Sequence, residues 1–103
     1  MVQHGKEALT MDFLLNDSDR VYRSIDCIVN EEKLGEITWK EADGVMHVNH
    51  TYVSDHLRGQ GVAKQLLDKA AHYAREHELK INAICSYVES AFQKYDEYKD
   101  VKL

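Results

Sequence analysis

The apolar residues follow one period in the first half of the chain and another in the second. From Val21 to Val29 β-branched and aromatic positions dominate, just after the turn-forming run Asn16-Asp17-Ser18-Asp19, and this predicts a strand. Lys33 to Trp39 alternates, with Gly35, Ile37 and Trp39 set against Leu34, Glu36 and Thr38, and predicts a second strand. Asp43-Gly44 is a hairpin signal, because a type I′ turn needs positive φ at both central positions. The strand it feeds runs Val45 to Val53. Simple alternation puts Met46, Val48, His50 and Tyr52 on one face and His47, Asn49 and Thr51 on the other. Met11 to Leu15 reads as a first strand, completing an antiparallel meander.

The period then lengthens. Val62, Ala63, Leu66, Leu67, Ala70, Ala71, Tyr73 and Ala74 recur at helical spacing, while Lys64, Gln65, Asp68, Lys69, His72, Arg75 and Glu76 fill the opposite face. Ile81 to Tyr87 is a short apolar run that predicts a buried strand. Val88, Ala91, Phe92 and Tyr95 predict a short terminal helix, with Ser86 as its candidate cap. A helix between two strands permits a crossover, which would lay the last strand parallel to Val45–Val53. The expected class is α/β of the α+β type, with a mixed, mainly antiparallel sheet.

Composition narrows the reading. The 103 residues suit one domain spanning 1–103, with no proline and five glycines. Thirteen basic residues against eighteen acidic ones give a net charge of −5, which opposes nonspecific binding to nucleic acid or anionic membranes. No apolar run approaches the ~20 residues that span a bilayer. The opening Met1-Val2-Gln3-His4-Gly5-Lys6-Glu7 lacks the apolar core of an export signal. With Cys27 and Cys85 as free thiols, a cytoplasmic protein is expected.

The chemistry gathers at the strand-to-helix junction, Val53-Ser54-Asp55-His56-Leu57-Arg58-Gly59-Gln60-Gly61-Val62-Ala63-Lys64. A helix start leaves backbone N–H groups unpaired and carries partial positive charge, and glycines let an anion come close. Arg58-Gly59-Gln60-Gly61-Val62-Ala63 resembles the (Gln/Arg)-x-x-Gly-x-(Gly/Ala) signature of the GNAT N-acetyltransferases. His50-Thr51-Tyr52-Val53, Leu57 to Ala63 and Cys85-Ser86-Tyr87-Val88 together resemble a compact single-domain GNAT-like subfamily. The resemblance implies a GNAT-like fold with one long cofactor-binding helix, and acetyl-CoA as co-substrate. Backbone amides from Gln60 through Lys64, those of Gly61, Val62 and Ala63 among them, would hold its pyrophosphate, with Arg58 and Gly59 entering the loop and the strand end around Tyr52 and Val53 offering backbone groups to the pantetheine arm. Proline commonly stands in that superfamily where this chain has Asp55, whose carboxylate is expected to point away from the phosphate.

The same resemblance implies acetyl transfer to an amine, with a backbone donor for the oxyanion at about Tyr52 or Val53 and a tyrosine acid among Tyr87, Tyr95 and Tyr98. It also implies that Cys85 approaches the thioester, either to accept the acetyl group or to assist direct transfer. The competing reading of Cys85 is a small core residue, which is the expectation for Cys27. His50 is a candidate to orient Cys85 or act as base, or else a structural histidine in the sheet. The histidines lack the spacing of a metal site, so no metal is expected. Trp39 is a candidate for an acceptor pocket or for the core. The acidic residues near the C-terminus read as a solvated helix face. Leu15 to Val21 leaves room only for a turn where larger members have helices, so an open acceptor side, a large substrate or a protein partner is expected. A noncatalytic CoA-binding or interaction module on this fold is the alternative.

Overall fold

The computed structural model describes residues 10–103; the opening residues 1–7 read above for an export signal lie outside the described residues. Five strands form one sheet in sequence order: β1 (Asp12–Asn16), β2 (Tyr22–Val29), β3 (Glu32–Ala42), β4 (Val45–Val53) and β5 (Lys80–Ala83). The first four pair antiparallel, and β4 pairs parallel with β5 across the crossover helix α1 (Val62–Glu76). A second helix, α2 (Ser86–Lys94), follows.

Local chemistry sets the turns. Asp43 and Gly44 take φ 55° and 77°, the pair of positive values that a type I′ hairpin requires. Asn30 and Glu31, at 52° and 67°, make the same kind of turn between β2 and β3 without a glycine. Between β1 and β2 the Asp19 carboxylate accepts the N–H groups of Val21 and Tyr22, an Asx-type turn.

One face of the sheet carries the core. Ile25, Cys27, Ile37, Trp39, Met46 and Val48 meet Leu66, Leu67, Ala70, Ala71 and Ala74 of α1, all buried. Burial of each leucine contributes about 1.5–3 kcal/mol, and the alanines let the helix sit close. Cys27 is packing, and its burial pushes the thiol's pKa up. Trp39 is core as well, its indole N–H donating to Glu41 at 3.0 Å. Glu41 also accepts from Tyr73 (2.7 Å) and Arg23 (3.2 Å), so one carboxylate ties β2, β3 and α1 together.

Three sequence expectations change here. The β3–β4 register runs Thr38↔His50 and then Trp39↔Val48, leaving Asn49 as one extra residue, a β-bulge. Met46 and Val48 therefore face the helix, but beyond the bulge Thr51 and Val53 face it, while His50 and Tyr52 turn to the open face. The Asn49 side chain accepts from Thr38 at 2.8 Å. Second, β5 ends at Ala83 instead of running to Tyr87. The N–H groups of Ile84 and Cys85 both donate to the Val48 carbonyl, which turns the chain away and starts α2 at Ser86. Cys85, not Ser86, is the capping position, and no side chain caps that helix. Third, two of the acidic residues near the C-terminus, Glu97 and Asp100, are tethers. Asp100 pairs with Arg75 at 2.7 Å and Glu97 with Lys64 at 2.6 Å, because the tail runs back along the basic edge of α1. The tail also bonds to the outer edge of β5 through Val101 and Leu103.

Candidate active site

The site begins where β4 and β5 part. Pairing ends at Val48↔Ala83, so among the described residues β4 from His50 to Val53 keeps only β3 as a neighbour and a notch opens on its other side. The ladder decides which backbone groups face it. Ser54 N–H donates to the Leu34 carbonyl at 2.7 Å, which makes Leu34 and Ser54 a hydrogen-bonded pair. Such pairs alternate in an antiparallel ladder. Tyr52 and His50, opposite Glu36 and Thr38, therefore spend their backbone groups on β3, whereas the N–H and C=O of Thr51 and Val53 point into the notch. Of Tyr52 and Val53, the two positions expected to offer an oxyanion donor, only Val53 has its N–H turned that way.

Gly35 permits this arrangement on the β3 side. A Cβ there would lie 3.1 Å from the Tyr52 carbonyl oxygen and 3.5 Å from Leu66. Trp39, four residues on, shows how large the side chains are elsewhere on that face.

Below the notch a single 3₁₀ turn, Asp55–Leu57, leads into the glycine loop. Ser54 caps that turn, its hydroxyl accepting the His56 N–H, and the buried Leu57 anchors it. Asp55 pairs with Arg58 at 2.6 Å, both well exposed, so the guanidinium is held by its neighbour. Gly59 and Gly61 have φ 83° and 69°, and nothing among the described residues lies within 4 Å of where their Cβ atoms would be. Gly61 is the residue before α1, which has no side-chain cap. The first helical bond runs from Gln65 N–H to the Gly61 carbonyl, so the amides of Val62, Ala63 and Lys64 have no partner among the described residues, nor do those of Gly59 and Gly61. The Gln60 amide differs from expectation: it turns back to the Leu57 carbonyl at 3.3 Å. The Lys64 side chain is likewise committed elsewhere, bonded to Glu97 and Asp68 and lying 4.8 Å from the Tyr95 ring centre. Its backbone faces the loop, and its ammonium ties α1 to the tail.

At the other wall stands Cys85, half-buried, its thiol donating to the Thr51 hydroxyl at 3.4 Å. His50 does not join it. Its Nε2 lies 3.5 Å from Glu36 Oε2 on the open sheet face, because the bulge moved it there. Sequence alternation had hidden Thr51 by assigning it to the wrong face; the adjacent His50-Thr51-Tyr52-Val53 stretch was the available signal. Among the three tyrosines, Tyr98 is buried and donates to Asp68. Tyr95 is occupied by the lysines against its ring. Tyr87, one residue into α2, has no partner for its hydroxyl among the described residues. Burial raises its pKa, with Tyr95 adding and Lys64 opposing, so the phenol keeps its proton.

No cluster of metal-ligating side chains occurs among the described residues. No helix of the described residues is long and apolar enough to cross a membrane. A cavity of about 250 Å³ lies against β5 and α2, lined by Ala83, Phe92, Lys102 and Leu103.

The pattern of a family described as GCN5-related N-acetyl-transferase matches residues 25–101. The chain is similar to a GCN5-like protein from Staphylococcus aureus, at 37% identity, with 88% of each chain covered and a TM-score of 0.66. It is similar to a ribosomal-protein-alanine N-acetyltransferase from Brucella melitensis at 27% identity and a TM-score of 0.55, covering 62% of this chain and 47% of that one. With Tetrahymena GCN5 it shares the fold, at 17% identity, a TM-score of 0.60, and 74% and 51% of the two chains covered. The chain thus spans about half the length of the last two.

Proposed function

Because this chain belongs to the GCN5-related N-acetyltransferase family, and is by that an acetyltransferase, we propose that it takes its acetyl group from acetyl-CoA and passes it to an amine at the β4–β5 notch. The observation that carries the reading is the loop from Arg58 to Lys64. Its unpaired amides at Gly59, Gly61, Val62, Ala63 and Lys64 gather at a helix start, with open space where the glycine side chains would be. A pyrophosphate fits that donor set and the positive end of the helix.

Acetyl-CoA, when bound, supplies an acyl carbon activated as a thioester. The chain's own residues do the rest. The loop amides hold the phosphates. The backbone groups of Thr51 and Val53 align an extended arm along β4, as a sheet edge receives a strand, and the Val53 N–H stabilises the oxyanion. Tyr87, kept protonated, is the acid for the departing sulfur. Cys85 takes the acetyl group: its thiolate sulfur bonds to the carbonyl carbon as the bond to the CoA sulfur breaks, and the amine later displaces Cys85. The acceptor enters over the open sheet face, where His50, backed by Glu36, takes its proton. With only a turn between β1 and β2, that approach suits a large amine or a protein-borne one, in a cytoplasmic setting.

Calorimetry with acetyl-CoA tests the premise, and no heat of binding at millimolar cofactor refutes it. Intact mass after incubation with acetyl-CoA then tests the route. An acetyl adduct on the native chain but not on Cys85→Ala supports the covalent step. Turnover without any adduct assigns direct transfer, and binding without turnover on an amine panel leaves a noncatalytic CoA module.

A further inference from the structure

The contact between Cys85 and Thr51 joins the start of α2 to β4 at the notch. Cys85 is held through its backbone: its N–H donates to the Val48 carbonyl at 2.9 Å and its carbonyl accepts the Glu89 N–H at 3.1 Å. As the residue before a nine-residue helix, it uses no side-chain atom for capping. Its sulfur is therefore free to be directed by something else, and among the described residues the one side chain that bonds it is Thr51, at 3.4 Å. Thr51 faces the sulfur only because Asn49 is extra in β4; without the bulge His50 would occupy that side.

We propose that Thr51 is a positioning residue for Cys85, holding its sulfur at the notch and favouring its ionised form. A hydroxyl can both accept and donate. In the protonated state the thiol S–H donates to the Thr51 oxygen. When that proton leaves to solvent, the Thr51 hydroxyl rotates about its Cβ–Oγ bond and donates to the sulfur anion. Threonine keeps its own proton throughout, and no other group is consumed. A bond to a charged partner outweighs one to a neutral partner, so the hydroxyl stabilises the anion more than the thiol. The bearing of this on acetyl transfer rests on the reading of Cys85 as acetyl acceptor.

The test needs no cofactor. The full chain is treated with iodoacetamide, and alkylation at Cys85 and at Cys27 is followed separately by peptide mass. Thr51→Val, which keeps the branched shape and removes the hydroxyl, is expected to slow Cys85 alkylation at pH 7 by about three- to tenfold. Thr51→Ser is expected to restore the rate to within about twofold, and the native and Val rates to converge near pH 10.5, where an ordinary thiol is ionised. Equal rates for native and Val at pH 7, a Ser variant as slow as Val, or a gap that persists at pH 10.5 would each overturn the proposal. If Thr51→Val fails to fold by circular dichroism, Thr51→Ala and Thr51→Ser supply the same comparison. A Thr51 effect on alkylation without an acetyl adduct on Cys85 sinks the covalent route while leaving this inference standing.

Discussion

Gly61→Ala separates the backbone cost of the loop from its binding role, because the fold supplies its own control. Gly61 and Gly44 have φ 69° and 77°, and neither has any atom of the described residues within 4 Å of its missing Cβ. An L side chain in the left-handed region costs roughly 1–2 kcal/mol, so both alanine variants should lose similar stability. For a domain of this size that lowers the melting temperature by about 4–16 °C. The consequences for ligand diverge. Gly44 turns the β3–β4 hairpin, while Gly61 stands at the start of α1 among the unpaired amides. A Cβ at Gly61 occupies the space a phosphate needs, and losing one hydrogen bond to a charged group costs about 1.5–3 kcal/mol. Gly61→Ala is therefore expected to bind acetyl-CoA about ten- to a hundredfold more weakly, and Gly44→Ala to bind it as the native chain does. Thermal melts and calorimetry below both midpoints measure the two effects. Equal affinities for the two variants, in either direction, would refute the assignment of the loop.

Glu41→Leu removes the acceptor shared by Trp39, Tyr73 and Arg23. Leaving the first two donors unmet should cost about 2–4 kcal/mol in urea unfolding, while Glu41→Gln, which keeps an acceptor oxygen, should cost about 1 kcal/mol. An unchanged midpoint in Glu41→Leu would show that this hub is ornamental. The same site shapes the pH dependence. Burial alone would raise the Glu41 carboxyl, but the Trp39 and Tyr73 donors with Arg23 outweigh it and hold its pKa below 4.5, so its contribution is full above that value and fades as pH falls through the lowered one. The Tyr73 phenol is pushed up to about 12, chiefly by burial and then by Glu41, so its contribution holds below pH 10 and is lost on approach to 12. Stability against pH for Glu41→Gln should flatten at the acid end. Gly35→Ala should cost about 1–3 kcal/mol through its contact with the Tyr52 carbonyl, and should weaken acetyl-CoA binding more than Gly44→Ala does, since β4 must shift at the notch. Parity between those two variants would show that the Gly35 contact does not shape the site.

Period alone was enough to read the meander, the amphipathic α1 and the crossover, since burial of one face dictates where apolar residues recur whatever their partners. The glycine loop was legible for a similar reason. A backbone that must enter the left-handed region and expose amides is local chemistry, and Gly59 and Gly61 carry it within a few residues of the helix they precede. What alternation could not show was the bulge at Asn49. One extra residue reverses every face beyond it, exchanging His50 for Thr51 beside Cys85, and that extra residue is defined by pairing with β3, not by β4 itself. The end of β5 was hidden in the same way, because Ile84 and Cys85 leave the strand on account of a carbonyl at Val48, far away in the chain. The acidic tail, polar by composition, became a set of tethers only once Arg75 and Lys64 were brought alongside. The sequence determined the elements and the loop that offers amides to an anion, both short-range properties of the chain. The tertiary structure decided which side chains share the notch, because register, strand ends and ion pairs depend on groups that only folding brings together.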